Sequence, residues 1–243
     1  MLGEHMAHLG EKLKTVRLPY AAAVIVAGGS GSRFGGDKLM AQLGGMSVLA
    51  RTLRAFETAE EIHQIIVVAR EDALGTVADL CRDYGKVGAV VPGGDTRAKS
   101  CLAGVMAVSP RAELIAIHDG ARPLVTDDVI RDALWTAHRH MAAIPAVPVR
   151  DTVKQADNGV VRGTPDRASL YAVQTPQCFQ ADLIRTALLD AVQNAPEITD
   201  DSMAVERIGG RIYLSRGSEE NIKITTPLDL ALGEIILARR SNP

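Results

Sequence analysis

Ala21-Ala22-Ala23-Val24-Ile25-Val26-Ala27 runs without a break into Gly28-Gly29-Ser30-Gly31-Ser32-Arg33-Phe34-Gly35-Gly36-Asp37-Lys38. An unbroken apolar run that stops at glycines reads as a strand covered on both faces, the pattern of a parallel sheet. The glycines let the backbone approach a ligand closely, and N–H groups exposed in such a loop can cradle phosphate. Two common phosphate loops fail here. G-x-G-x-x-G started at Gly29 needs a glycine where Phe34 stands. The P-loop started at Gly31 reaches Gly36 but continues Asp37-Lys38 instead of Lys-Ser/Thr. What remains is a strand, G-G-x-G-x-R, and a lysine five residues on. Arg33 offers a planar fork and Lys38 a compact charge, a pair suited to a polyphosphate. Taken alone, the loop reads equally well as a glycine turn with two solvated cations.

Further apolar runs recur downstream at Ile65–Ala69, Val87–Val91, Leu114–His118 and Ala143–Val149. Helical patterns lie between them at Val48–Glu57, Asp72–Tyr84, Thr96–Val108 and Thr126–His140, the last with Thr126 as N-cap and Asp127 and Asp128 in its first turn. This alternation predicts a Rossmann-like, doubly wound, mostly parallel α/β sheet. Residues 151–170 are polar and break the pattern, and they read as a protruding β-hairpin arm. Helices at Asp182–Gln193 and Asp200–Ile208, a strand at Arg211–Ser215 and a final helix from Thr226-Pro227 to about Arg239 complete the chain. Residues 1–18 read as an N-terminal extension, and 19–243 as a single domain carrying the arm.

Composition narrows the function. The 243 residues carry 27 basic and 29 acidic side chains, a net charge of −2, which gives no broad basic footprint for nucleic acid. With one Trp, four Tyr and three Phe, a base-stacking platform is not expected. No apolar run approaches the roughly 20 residues of a membrane span. Three cysteines without a C-x-x-C fit packed thiols in a reducing cytoplasm better than a disulfide frame or a zinc site.

Eight ordered segments carry a resemblance. They are Ala27–Arg33; Lys38; Gly93-Gly94-Asp95-Thr96-Arg97 with Ser100; His118-Asp119-Gly120-Ala121-Arg122-Pro123; Pro148–Lys154; Gln174-Thr175-Pro176-Gln177; Ile198-Thr199-Asp200-Asp201; and Asn221-Ile222-Lys223-Ile224-Thr225. In this order they resemble the 2-C-methyl-D-erythritol 4-phosphate cytidylyltransferases, a nucleotidyltransferase family, over about residues 20–240. Asp37-Lys38-Leu39-Met40 departs from that family's Pro-Lys-Gln-Tyr, and Gly120 stands where it has alanine. A ribitol 5-phosphate cytidylyltransferase shares several of these segments, and Pro148–Lys154 favours the former.

The resemblance implies transfer of a cytidylyl group from CTP to a polyol phosphate, with Mg²⁺ or another divalent cation bound alongside CTP. It implies catalytic roles for Arg33, Lys38, Arg167 and Lys223. Ala27, Gly28, Gly29, Gly31, Gly94, Asp95, Ser100 and Gly120 would bind the nucleotide. Asp119, Arg122, Thr152, Thr175 and Thr199 would bind the second substrate. It further implies a homodimer whose arms exchange, with Thr152, Lys154 and Arg122 at shared positions. Local readings compete at single residues. Lys223 reads as an exposed strand lysine, His118 as a structural histidine at a strand end, and Thr199-Asp200-Asp201 as a helix cap.

Overall fold

The computed structural model describes residues 17–28, 34, 36–195 and 197–241. Its strands are β1 (Ala21–Ala27), β2 (Gln42–Leu43), β3 (Met46–Ser47), β4 (Ile62–Ala69), β5 (Val87–Pro92), β6 (Leu114–Asp119), β7 (Ala142–Pro148), β8 (Gln155–Asp157), β9 (Val160–Gly163), β10 (Tyr171–Val173), β11 (Gln177–Gln180) and β12 (Tyr213–Arg216). The helices are α1 (Val48–Thr58), α2 (Leu74–Cys81), α3 (Arg97–Ala107), α4 (Asp127–His140), α5 (Ala181–Asn194), α6 (Asp201–Arg207) and α7 (Pro227–Ser241). An eight-stranded sheet runs β10-β7-β11-β6-β1-β4-β5, with β12 paired to β7. β1 pairs in parallel with both β4 and β6, and β4 with β5. β12 is parallel to β7, while β10 and β11 run antiparallel to their neighbours.

The double burial of β1 has a simple cause. Ala21, Ala23, Ile25 and Ala27 face one apolar cluster with α1, α2 and α4, while Ala22 and Val24 face a second with α3 and α5. Alternate residues of a strand point to opposite faces, so a strand covered on both sides needs apolar residues throughout. Alanine lets helices come close. Gly104 on α3 goes further, since a Cβ there would meet Val24 Cγ1 at 2.4 Å.

The mixed half of the sheet departs from the expectation. β10 and β11 were not foreseen because each has only three or four residues and Thr175-Pro176 stands between them. Both run antiparallel along β7, Tyr171–Val173 opposite Pro148–Ala146 and then, with the pairing shifted by two residues, Cys178 and Phe179 opposite Ala143 and Ala142. β4 starts at Ile62, before the expected Ile65, because polar His63 and Gln64 interrupt the apolar run within the strand. The helix expected over 72–84 is a 3₁₀ turn at Glu71–Ala73 followed by α2, and it ends at Cys81 in i→i+3 bonds from Arg82 and Tyr84. Thr126 occupies the N-cap of α4, but its hydroxyl makes no capping bond. Thr226 does cap α7 as expected, its hydroxyl accepting from the Asp229 N–H at 3.3 Å while Asp229 accepts from the Thr226 N–H at 2.7 Å. β8 and β9 form a two-stranded hairpin that is exposed except at Gly163, which is partly buried. No helix among the described residues is long and apolar enough to cross a membrane.

Candidate active site

The chain leaves β5 at one edge of the sheet and crosses through α3 to β6, which lies on the other side of β1. At such a reversal of strand order the loops at the carboxyl ends of the strands leave a crevice. A cleft of about 250 Å³ opens there, lined by Val26, Gly28, Lys38, Leu39, Gly94, Asp95, Thr96, Arg97, Ser100, Asp119, Ala121 and Lys223.

Each wall is held by local chemistry. Thr96 caps α3 by accepting from the Lys99 N–H at 3.2 Å, so the positive end of the helix faces the cleft. The Ser100 hydroxyl accepts from the Gly94 N–H at 3.1 Å and so pins the 93–95 turn. Gly94 is required at that turn, because a Cβ would meet Lys99 Cβ at 2.4 Å. Asp95 pairs with Lys99 at 2.9 Å on the exposed rim, and that hydrogen bond holds its carboxyl below the usual range.

Asp119, the last residue of β6, forms the floor. Its carboxylate meets Lys223 Nζ at 2.9 Å and Arg97 Nη1 at 3.1 Å, with Arg122 Nε at 3.6 Å. Burial by itself would raise the Asp119 pKa; the charges of Arg97 and Lys223, then Arg122, reverse this and hold it well below the usual carboxylate range. Arg97 also bonds Asp201 Oδ2 at 2.7 Å. Burial favours its neutral form, but Asp201 and Asp119 together keep the guanidinium more firmly protonated than usual.

Residues 174–177 wire this floor to the rest of the chain. The Thr175 hydroxyl accepts from the Asp119 N–H at 3.1 Å and lies 3.0 Å from His118 Nδ1. Gln174 Oε1 accepts from Asn221 Nδ2 at 3.2 Å, and Asn221 Nδ2 also donates to the Thr175 carbonyl at 2.9 Å. Arg122 Nη1 donates to the Asn221 carbonyl at 2.7 Å, and the Ile224 N–H to the Ala121 carbonyl at 2.8 Å. These bonds dock 221–224 against the loop after β6 and deliver Lys223 to Asp119. The segment is not a strand, so the alternating pattern around Lys223 was misleading. His118 is structural, as its strand-end position suggests. Its Nε2 lies 3.1 Å from the Arg122 carbonyl, and burial pushes its pKa down to about 4.

Of the residues singled out in the sequence, Gly28, Lys38, Gly94, Asp95, Ser100, Asp119 and Lys223 come together around the cleft. Gly120 sits just below it, its N–H donating to the Val26 carbonyl at 2.9 Å, and Ala27 is buried at the end of β1. Thr175 and Arg122 are turned into the supporting network and are not among the lining residues. Arg167, Thr152 and Thr199 are exposed and do not line the cleft of this chain; Arg167 Nη1 donates instead to the Arg150 carbonyl at 2.9 Å. Gly29, Gly31 and Arg33 lie outside the described residues. Arg97 and Asp201 were missed as site residues. The signal for Arg97 was its place inside the Gly93–Arg97 segment; Asp201 was hidden within an ordinary helix cap, where Asp200 accepts from the Met203 N–H.

The profile of the 2-C-methyl-D-erythritol 4-phosphate cytidylyltransferase family (IspD) matches residues 21–239. The chain belongs to this family. It is 43% identical over 224 residues to the member from Symbiobacterium thermophilum, covering 91% of this chain and 94% of the other. It is 40% identical over 223 residues to the one from Clostridium botulinum, covering 90% and 97%. The crystal structure of the 4-diphosphocytidyl-2C-methyl-D-erythritol synthase from Anaerococcus prevotii superposes with a TM-score of 0.82 at 32% identity, covering 91% of this chain and 97% of that one. The mixed, mostly parallel sheet is thus the fold of the family.

Proposed function

We propose that this chain transfers a cytidylyl group from CTP to 2-C-methyl-D-erythritol 4-phosphate, in the non-mevalonate route to isoprenoid precursors. Family membership supports the reaction. The observation that carries the assignment to this cleft is the convergence of Arg97, Arg122 and Lys223, from three separate stretches of chain, on Asp119 at its floor. Of the charged residues lining the cleft, Lys38, Arg97 and Lys223 stand against Asp95 and Asp119, which leaves net positive charge facing an anionic ligand.

In this reading a phosphate oxygen of the polyol attacks the α-phosphorus of CTP, and pyrophosphate leaves. The nucleophile is already anionic near neutral pH, so positioning and charge neutralisation carry the catalysis. Lys38 and Arg33 hold the triphosphate, with the amino terminus of α3 lining the same cleft as Lys38. Lys223 neutralises charge at the α-phosphorus. Gly94, Asp95 and Ser100 form a rim for cytosine, while Gly28, Gly29, Gly31, Gly120 and Ala27 allow backbone approach. Thr175 and Arg122 act by holding Asp119 and the Lys223 segment. Arg167, with Thr152 and Thr199, grips the polyol phosphate. As Arg167 and Thr152 are exposed and away from this chain's cleft, they act on the cleft of a second copy, in a homodimer with exchanged arms.

A divalent cation is expected with CTP. Among the described residues no three of His, Cys, Asp and Glu gather as a metal site, and Asp119 is engaged by cations. The triphosphate oxygens would therefore be its ligands, and no step above is routed through it. Three buried, unpaired thiols support a reducing cytoplasm as the setting.

A coupled pyrophosphate-release assay with CTP tests the substrate choice. Methylerythritol phosphate is expected to turn over faster than ribitol 5-phosphate, and the reverse order would overturn it.

A further inference from the structure

The Arg97 guanidinium is divided between two carboxylates. Its Nη1 donates to Asp119 Oδ1 at 3.1 Å and its Nη2 to Asp201 Oδ2 at 2.7 Å. The other Asp119 oxygen, Oδ2, meets Lys223 Nζ at 2.9 Å. A guanidinium facing one carboxylate prefers to take both of its oxygens through two parallel bonds. Here the second arm of the fork is turned away, and the oxygen it would have taken goes to the lysine.

Asp201 is fully buried and is not among the residues lining the cleft. Its place is set from behind. Asp200 Oδ2 accepts from Gln177 Nε2 at 2.9 Å, and Gln177 Oε1 accepts from the Ser202 N–H at 2.8 Å. Gln177, itself buried, thus ties the start of α6 to β11, whose other neighbour in the sheet is the strand that ends in Asp119. A buried carboxylate costs stability unless it is paired, so its position behind a cleft wants a reason beyond packing.

We propose that Asp201 is a positioning residue for Lys223: by holding Arg97 at Nη2, it reserves Asp119 Oδ2 for the lysine. The inference rests on the cytidylyl-transfer reading, in which Lys223 acts at the α-phosphorus. Without the Asp201 charge, Arg97 closes on Asp119 with both nitrogens and Lys223 is displaced. Asp201→Asn keeps the shape and removes the charge.

The test is a double-mutant cycle with Lys223→Gln, measured as steady-state pyrophosphate release from CTP and methylerythritol phosphate. Asp201→Asn is expected to lower kcat by about 10- to 100-fold in the wild-type background, with KM for CTP little changed, and by less than about threefold in the Lys223→Gln background. A purely structural role would lower both backgrounds by the same factor, and that result, or no loss in the wild-type background, overturns the proposal. Arg97→Lys gives a second arm, since one ammonium cannot take both Asp119 oxygens as the fork does and so leaves Oδ2 to Lys223 even without the Asp201 charge. In that background Asp201→Asn is expected to lower kcat by less than about threefold, and a loss as large as in the wild-type background would overturn the idea; if Asp201→Asn does not fold, Asp201→Ser takes its place in both tests with the same outcomes. Absence of activity in the wild-type chain would instead sink the cytidylyl-transfer reading itself.

Discussion

Beneath the cleft, Arg97, Asp119 and Asp201 are largely buried and bond across 22 and 104 residues of sequence. In the stretch between β7 and β10, Arg150, Lys154, Arg162 and Arg167 are all exposed. There Lys154 bonds Thr164, Arg162 bonds Asp157, and Arg167 bonds the Arg150 carbonyl, all within the same stretch. Buried ions impose several kcal/mol of desolvation each and persist only in a good geometry, whereas exposed pairs contribute about 0–1 kcal/mol. The first region is preorganised by this chain alone. The second spends little stability on its charges, and in the proposed reading they serve the cleft of a second copy.

Removing a cation from each region separates the two most sharply. Lys223→Ala is expected to lower kcat by about 10²–10³, the usual loss of one charge-stabilising donor. Pyrophosphate release within a few-fold of wild type would place the chemistry elsewhere. Arg167→Ala should cost roughly 10- to 100-fold in kcat/KM for the polyol phosphate, as for a charged hydrogen bond, while CTP affinity by calorimetry stays unchanged. Equal weakening of CTP binding would erase the distinction between cleft and arm.

Two changes probe the supporting framework. A Cβ at Gly104 would meet Val24 at 2.4 Å and Val68 at 2.6 Å, so Gly104→Ala should cost about 1–3 kcal/mol of stability by overpacking. A urea midpoint equal to wild type would mean that α3 can shift freely against β1. The smallest effect concerns His118, whose pKa is lowered by burial from 6.5 to about 4. Between those values the unfolded chain binds more protons than the folded one, so stability rises with pH across that window. The contribution is complete above pH 6.5 and is lost as the pH falls toward 4. Measured between pH 7 and pH 5, the fall in urea midpoint should be smaller in His118→Gln than in wild type; an identical fall would assign the pH dependence to other groups.

What the sequence disclosed follows the same division. β1 was legible to the residue because double burial demands an uninterrupted apolar run. Asp200 was legible as a cap because the hydrogen bond it makes is local. β10 and β11 were not, since strands of three and four residues owe their existence to β7 and not to their own pattern. Arg97 and Asp201 were invisible as a pair because only the fold brings residues 104 positions apart within 2.7 Å. Lys223 lines the cleft, where its segment's resemblance expects a site residue, whereas its alternation mimics a strand in a stretch held by Asn221 and Ala121.

Mixing two inactive variants tests the account at its centre. Lys223→Ala disables the cleft of its own chain and Arg167→Ala the arm of its own chain. If a site is built from the cleft of one copy and the arm of another, a mixed dimer contains one site with both lysine and arginine intact. Random re-pairing of equal amounts should then restore about a quarter of wild-type pyrophosphate release. Recovery no greater than the sum of the two separate variants, in dimers shown by mass spectrometry to have exchanged, would mean that each site is completed within a single chain.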